Sequence, residues 1–253
     1  MSAIVLTEYQ WRNISDFLYK EKGVYTGCGD ACRLFIEAVL RIVRSGAQWR
    51  LLPERYGKWN SVYRRFARWS INDVWTRLYQ FCIKYPDSES LMIDSTVIRA
   101  HPCAAGALKK HGGQREQALG RSRGGFSTKI HVAVDALGNP LNFILTPGQT
   151  HDVTQAENLT ACNTPQSVIA DKGYDSDEFR QSQQKRGIET VIPSRSDRKE
   201  HHEYDRERYK ERHLVECFIN KIKHFRRIFS RFDKLSERYM SFLQFVGAII
   251  WLR

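Results

Sequence analysis

Near residue 85 the hydrophobic rhythm of the chain changes, and that change limits what the chain can fold into. Before it, apolar residues recur at helical spacing: Trp11, Ile14, Phe17 and Leu18, then Leu34, Phe35, Ala38, Val39 and Ile42. After it, FSTKIHVAVDALG alternates, with Phe126, Thr128, Ile130, Val132 and Val134 on one face. The two periods bury different kinds of surface, a stripe and a pleated face, so a helical module and a sheet-containing layer are both required. YPDSES, residues 85–90, reads as the linker. The expected division is a helical domain over 1–86 and an α/β domain over 87–253.

In the helical part, Asp30 is placed to cap a second helix over Ala31–Arg44. SGAQWRLLPERYGKWNS breaks the pattern with Gly46, Pro53 and Gly57. Asn60 or Ser61 then caps VYRRFARW, and Asn72 or Asp73 starts VWTRLYQFCIKY. Short helices, a tight basic turn and a basic aromatic helix fit a helix-turn-helix-like DNA-binding module. Helical aromatics alone serve a core equally well, so Arg64, Arg65 and Arg68 carry that reading.

Charge points the same way. Lys and Arg number 40 against 28 acids, a net +12, which favours a polyanionic partner. The excess is clustered: residues 41–70 hold eight Lys/Arg and one acid, Glu54, and residues 99–129 hold seven and one acid, Glu116. No apolar run reaches transmembrane length, and MSAIVLTEYQWRNI lacks the pattern of a signal peptide. The six cysteines, scattered and without zinc-site spacing, read as reduced thiols of a cytoplasmic protein.

Past the linker, LMIDSTVIRA is a first strand, and Gly138-Asn139-Pro140 turns the alternating second strand into LNFILT. SVIAD and TVIP are further strands, separated by the helix DSDEFRQSQQKRG with Gly187 at its end. A long helix begins near Tyr204–Tyr209, and SFLQFVGAIIWLR closes the sequence as an apolar helix too short to span a bilayer. This order predicts an α/β fold with a mixed sheet, compatible with an RNase H-like domain flanked by helices. Between the first two strands lies AHPCAAGALKKHGGQREQALGRSRGG, residues 100–125. Its glycines and its Lys109, Lys110, Arg121 and Arg123, with Lys129 just beyond, suggest a segment that closes on a phosphate backbone; a disordered insert is the alternative.

The acids are more telling. Asp94 lies inside an apolar strand, where an unpaired carboxylate costs several kcal/mol, about 2–7 for even a neutral polar group. Asp171 follows SVIA at the end of a buried strand, where ligands of open α/β sheets bind. On a helical wheel, Leu214, Phe218, Ile222, Phe225 and Phe229 form an apolar face. Opposite runs a stripe of Tyr209, Arg212, Glu216, Asn220, Lys223 and Arg227, and a plain surface with an Arg–Glu pair at i, i+4 explains it equally well. Asp135 reads as a turn residue; Asp152 and Asp175 are candidates to lie near the site, Asp175 being better explained as a helix cap or turn residue. His101 and His151 are minor candidates, since Mg²⁺ favours oxygen ligands.

The spacing Tyr-x2-Arg-x3-Glu-x6-Lys of Tyr209, Arg212, Glu216 and Lys223, together with IDST, GGFSTKIHVAVDALGNP and IADKGYD, resembles the DDE transposases of bacterial insertion sequences, of the family-five type. GAQWRLLPERYGKWNSVYRRFARW is similar to that family too, so the likeness covers almost the whole chain. It implies an RNase H-like catalytic domain in which Asp94, Asp171 and Glu216 bind two Mg²⁺, with Mn²⁺ as substitute, for phosphodiester hydrolysis and transfer. It implies that Tyr209, Arg212 and Lys223 hold double-stranded DNA of the terminal inverted repeats or orient the active site, Arg212 by positioning Glu216 one turn on, with Arg227 a further DNA candidate, and that the protein acts on target DNA as a homodimer or larger assembly in the bacterial cytoplasm. The rival expectations are a metal-dependent nuclease or resolvase without strand transfer, and a non-catalytic DNA-binding protein derived from a transposase.

Overall fold

Two kinds of core, one aromatic and helical, one aliphatic and sheet-based, organise the chain. A computed structural model describes residues 5–108, 111–114 and 116–253, without the side chain of residue 122. In chain order the helices are α1 (Glu8–Lys20), α2 (Gly29–Ser45), α3 (Trp59–Ile71), α4 (Val74–Cys82), α5 (Ala156–Thr160), α6 (Asp177–Lys185), α7 (Arg206–Tyr209), α8 (His213–Lys223), α9 (Arg226–Phe229) and α10 (Ser236–Trp251). The strands used below are β1 (Ser90–Ala100), β2 (Gly120–Ser122), β3 (Gly125–Val134), β4 (Pro140–Pro147), β5 (Ser167–Ile169) and β6 (Glu189–Val191).

Packing divides the chain into a helical unit, Met1–Lys84 with His101–His111 and Ile222–Arg253, and an α/β unit, Tyr85–Ala100 with Gly112–Lys221. The first boundary lies close to the expected linker. Residues 222–253, α10 among them, belong by packing to the helices. Phe66 of α3 stacks on Phe242 of α10 at 4.4 Å, and Trp75 of α4 meets Phe245 edge-on at 5.2 Å. Such aromatic pairs add about 0.5–1.5 kcal/mol beyond the area they bury. A capping box starts α1, Thr7 Oγ1 accepting from Gln10 N and Gln10 Oε1 accepting from Thr7 N. Gly46 ends α2 with φ +69°, where a side chain is strained. Among the described residues no helix is long and apolar enough to cross a membrane.

In the α/β unit β3 lies between β1 on one edge and β2 and β4 on the other, all antiparallel. Beyond β1 come β5 and then β6, both parallel. The mixed sheet with flanking helices is the RNase H-like arrangement expected. Leu91 and Ile93 of β1 enter a buried cluster with Ala156 and Leu159 of α5, Phe179 of α6, Val168 and Tyr174. Alternation then turns Met92 and Asp94 to the other face.

Candidate active site

Strand register brings two of the expected acids level. Met92 pairs with Ile169 across the parallel β1–β5 ladder. Two residues further along each chain stand Asp94 and Asp171, so both lie at one height and on the face that Met92 and Ile169 define. Asp171 is just past the end of β5, where its Oδ1 accepts from Gly173 N at 2.8 Å and caps the short turn Lys172–Tyr174.

The third acid arrives on α8. Asp94 pairs with Val132, and Val132 with Phe143, so these three share one face and one level. Phe218 of α8 packs on Phe143 with ring centroids 5.9 Å apart, which lays the helix over that face. Two residues before Phe218, Glu216 remains half-exposed, its side chain 49% accessible. One turn earlier, Arg212 spans strand and helix: Nη1 donates to Asp94 Oδ2 at 3.0 Å and Nη2 donates to Glu216 Oε1.

The charges of this cluster are felt at Asp94 and Arg212. Burial first pushes the Asp94 carboxyl up to about 6; the Ser95 N–H and Arg212 oppose that rise, and the negative charges of Asp171 and Glu216 reinforce it. Burial works against the charge of Arg212, but Asp94, Glu216, Tyr209 and Asp171 outweigh it and hold the guanidinium above its ordinary range. The neighbouring Tyr209 hydroxyl is raised, chiefly by burial.

On the other side of β1 a second polar set supports the first. Asp152 Oδ1 accepts from Ser95 Oγ at 2.7 Å and from Lys129 Nζ at 2.8 Å, while the same Nζ donates to Thr150 O at 2.7 Å. His131, fully buried beside it, exchanges a hydrogen bond with Thr146 Oγ1 at 2.8 Å. Burial lowers its imidazole to about 4, so it is neutral at physiological pH. Tyr174 is also fully buried, and burial raises its hydroxyl with help from the charges of Asp152, Asp94 and Asp171. Neither this tyrosine nor the Lys129–Asp152 pair was singled out by sequence as part of such a set; the one available signal was the position of Tyr174 in KGY, directly after Asp171.

The chain matches the family described as "Transposase DDE domain" over residues 85–239, more than half of its length. The chain belongs to the DDE transposases. Residues 6–79 match a second family, "Putative transposase of IS4/5 family". "Putative transposase for insertion sequence element IS6501" of Brucella ovis is 40% identical over 132 residues, covering 50% of this chain and 99% of that protein. "Putative transposase for insertion sequence element IS402" of Burkholderia cepacia is 36% identical over 129 residues, covering 46% of this chain and 59% of that protein. Among solved structures, the piggyBac transposase synaptic complex with hairpin DNA aligns at a TM-score of 0.43 and 14% identity, over 78% of this chain and 50% of that one. This chain thus spans half the length of that transposase.

As a DDE transposase of an insertion sequence, the protein is a polynucleotidyl transferase/endonuclease, and the family implies dependence on a divalent metal. The donor chemistry here suits such an ion: three carboxylates offer hard oxygen ligands. Their present arrangement is less open. Among the described residues no three His, Cys, Asp or Glu side chains converge closely enough to hold a metal ion. Arg212 holds one oxygen each of Asp94 and Glu216, and Asp171 is turned toward Gly173 N.

Several cations expected at DNA in this transposase are committed elsewhere. Arg65 donates to Tyr25 O and Thr26 O and lies 4.2 Å from the Phe35 ring centroid, so its fork is used inside the helical unit. Arg227 is not on the Glu216 stripe, because α8 stops at Lys223; it lies in α9, buried, with Nε and Nη2 on Asp233 at 3.1 and 3.0 Å. Lys129 is held by Asp152 and Thr150 and is nearly buried. Arg64 and Arg68 of α3 are exposed, as are Arg121 and Arg123 around the β2–β3 turn. Lys223 is half-exposed at the end of α8. Lys109 and Lys110 lie outside the described residues. His101 stacks on Phe232 within the helical unit, and exposed His151 precedes the turn Asp152–Gln155.

Proposed function

We propose that this transposase binds the terminal inverted repeats of its insertion sequence, cleaves DNA at the element ends and joins the freed 3′-OH to target DNA, working in the bacterial cytoplasm as a homodimer or larger assembly. The observation that carries this reading is the meeting of Asp94 and Asp171 at one level of the sheet, with Glu216 tied to Asp94 through Arg212. Two Mg²⁺, or Mn²⁺ in their place, held by Asp94, Asp171 and Glu216, would supply activation of an attacking oxygen and stabilisation of the leaving 3′ oxygen.

The protein's own part is positioning and charge. The β1–β3 ladder fixes Asp94 opposite Val132, two residues past the end of the β1–β5 ladder, so that carboxylate cannot drift with the loops. Phe218 sets the roll of α8 and with it the direction of Glu216. Ser95 N–H, Gly173 N–H and the Asp152 network hold the surrounding backbone and side chains in place. Exposed Arg64, Arg68, Arg121 and Arg123 suit phosphate oxygens, as do Tyr209, Arg212 and Lys223 of the Glu216 segment.

The test incubates pre-cut element ends with a supercoiled target plasmid and Mg²⁺. The expected product is plasmid DNA covalently joined to the element end, absent with Asp171→Asn although end binding persists. Nicked plasmid without joined ends would make the protein a nuclease and contradict the proposal.

A further inference from the structure

We propose that Arg212 is a latch on the carboxylate cluster: its guanidinium holds Asp94 and Glu216 until a DNA phosphate draws it away, so that DNA and the divalent ion bind with positive coupling. This rests on reading Asp94, Asp171 and Glu216 as the cation site.

The oxygen inventory carries it. Asp94 has both oxygens engaged, Oδ1 by Ser95 N at 2.7 Å and Oδ2 by Arg212 Nη1 at 3.0 Å. Glu216 Oε1 takes the other branch of the same fork. An ion bound by these carboxylates competes with Arg212 for their oxygens and is repelled by its charge. That competition accounts for an otherwise odd pair of facts. Asp94 and Asp171 stand level and Arg212 ties Glu216 to Asp94, yet among the described residues the three do not converge as ligands.

Arginine suits a latch with two destinations. Its planar fork matches a carboxylate pair and equally a phosphate, and it keeps its proton in both. Arg212 sits at the end of the tight turn Lys210–Arg212 that leads into α8, while Glu216 is one turn inside the helix. The guanidinium can therefore swing without moving the carboxylate it releases. No other cation is paired with Asp94 or Glu216 among the described ion pairs; nearby Lys129 serves Asp152. Once a phosphate holds Arg212, the cluster is left with its full negative charge. By reciprocity, the factor by which DNA tightens ion binding is the factor by which the ion tightens DNA binding.

The alternative role is that of a positioning residue: Arg212 would gather Asp94 and Glu216 into place for the ion, and its loss would weaken ion binding. The two roles predict opposite signs. Mn²⁺ affinity is measured by electron paramagnetic resonance on the full chain, with and without an element-end duplex, for wild type and for Arg212→Gln, Arg212→Lys and Asp171→Asn. The latch predicts that Arg212→Gln binds Mn²⁺ about tenfold more tightly than wild type without DNA, and that the tightening by DNA seen in wild type disappears. Arg212→Lys, which keeps a charge but loses the fork, shows a smaller gain and covers the case in which the glutamine variant does not fold. Unchanged or weaker Mn²⁺ binding in a folded Arg212 variant overturns the latch. Asp171→Asn weakens Mn²⁺ binding in every background; if it does not, the ion lies elsewhere and the cluster reading itself fails, independently of the Arg212 result.

Discussion

Asp94 and Asp175 belong to the same α/β unit, and their surroundings are opposite. Asp175 is one acid served by two arginines. Its Oδ1 accepts from Arg180 Nε at 3.0 Å, and its Oδ2 accepts from Arg195 N and Arg198 Nε, each at 2.9 Å. Burial pushes its carboxyl up, but those donors overcome it and hold it below the usual range. Around Asp94 the ratio is reversed: Asp94 and Glu216 share Arg212, with Asp171 level beside them, and the Asp94 carboxyl rises to about 6. Only three residues of sequence separate Asp171 from Asp175, yet one acid belongs to a cluster short of positive charge and the other to a network that the protein completes by itself. An acid cluster left short of cations is a candidate functional site, and it is where the proposed divalent ions would be held.

Removing the satisfied acid should do the most damage. Asp175→Asn leaves the buried fork of Arg180 without its charge partner and takes from Arg198 one of the two acids it holds, Asp177 remaining, and a loss of about 3 kcal/mol or more is expected by urea denaturation. A loss below about 1 kcal/mol would erase the contrast between the two regions.

Removing the strained acid should have the opposite sign. Asp94 has a folded carboxyl near 6, against about 3.9 in an unfolded chain. The folded state therefore holds this proton more tightly. The group favours folding below about pH 4, and that contribution is lost as pH rises through 6. In chelator at pH 7.5, Asp94→Asn is expected to stabilise the protein by about 1–2 kcal/mol, less than the full shift because the Arg212 contact is weakened. The gain shrinks toward zero between pH 6 and pH 4. A destabilised variant at pH 7.5 would show that Asp94 is a satisfied structural acid like Asp175.

Much of this was legible in sequence, and the failures have physical causes. The change of period near residue 85 marked the two kinds of core, alternation marked β3, and the Gly138-Asn139-Pro140 turn marked the start of β4. Asp94 stood out because a carboxylate in LMIDSTV needs a reason. That Asp94 and Asp171 are level depends on the Met92–Ile169 pairing, a long-range register that local pattern does not encode. Apolar spacing through Phe225 and Phe229 suggested one uninterrupted helix, but α8 ends at Lys223 and Phe229 is exposed. Arg65, Arg227 and Lys129 looked like surface charge because sequence does not show a fork turned inward onto carbonyls or onto an acid such as Asp233. The packing of α10 on α3 and α4 was hidden for the same reason: its apolar residues suit either core.

Glu216 belongs to the Asp94 cluster and yet has an arginine partner on its own helical segment. Half-exposed and paired with an arginine one turn away, it has the geometry of an ordinary surface ion pair. Glu216→Gln should change folding stability by no more than about 0.5 kcal/mol. The direct measurement is Mg²⁺-dependent cleavage of a labelled element-end duplex by this variant, alongside its end-binding affinity. The account predicts that cleavage is abolished while binding persists; cleavage near the wild-type rate would contradict it and return Glu216 to the surface.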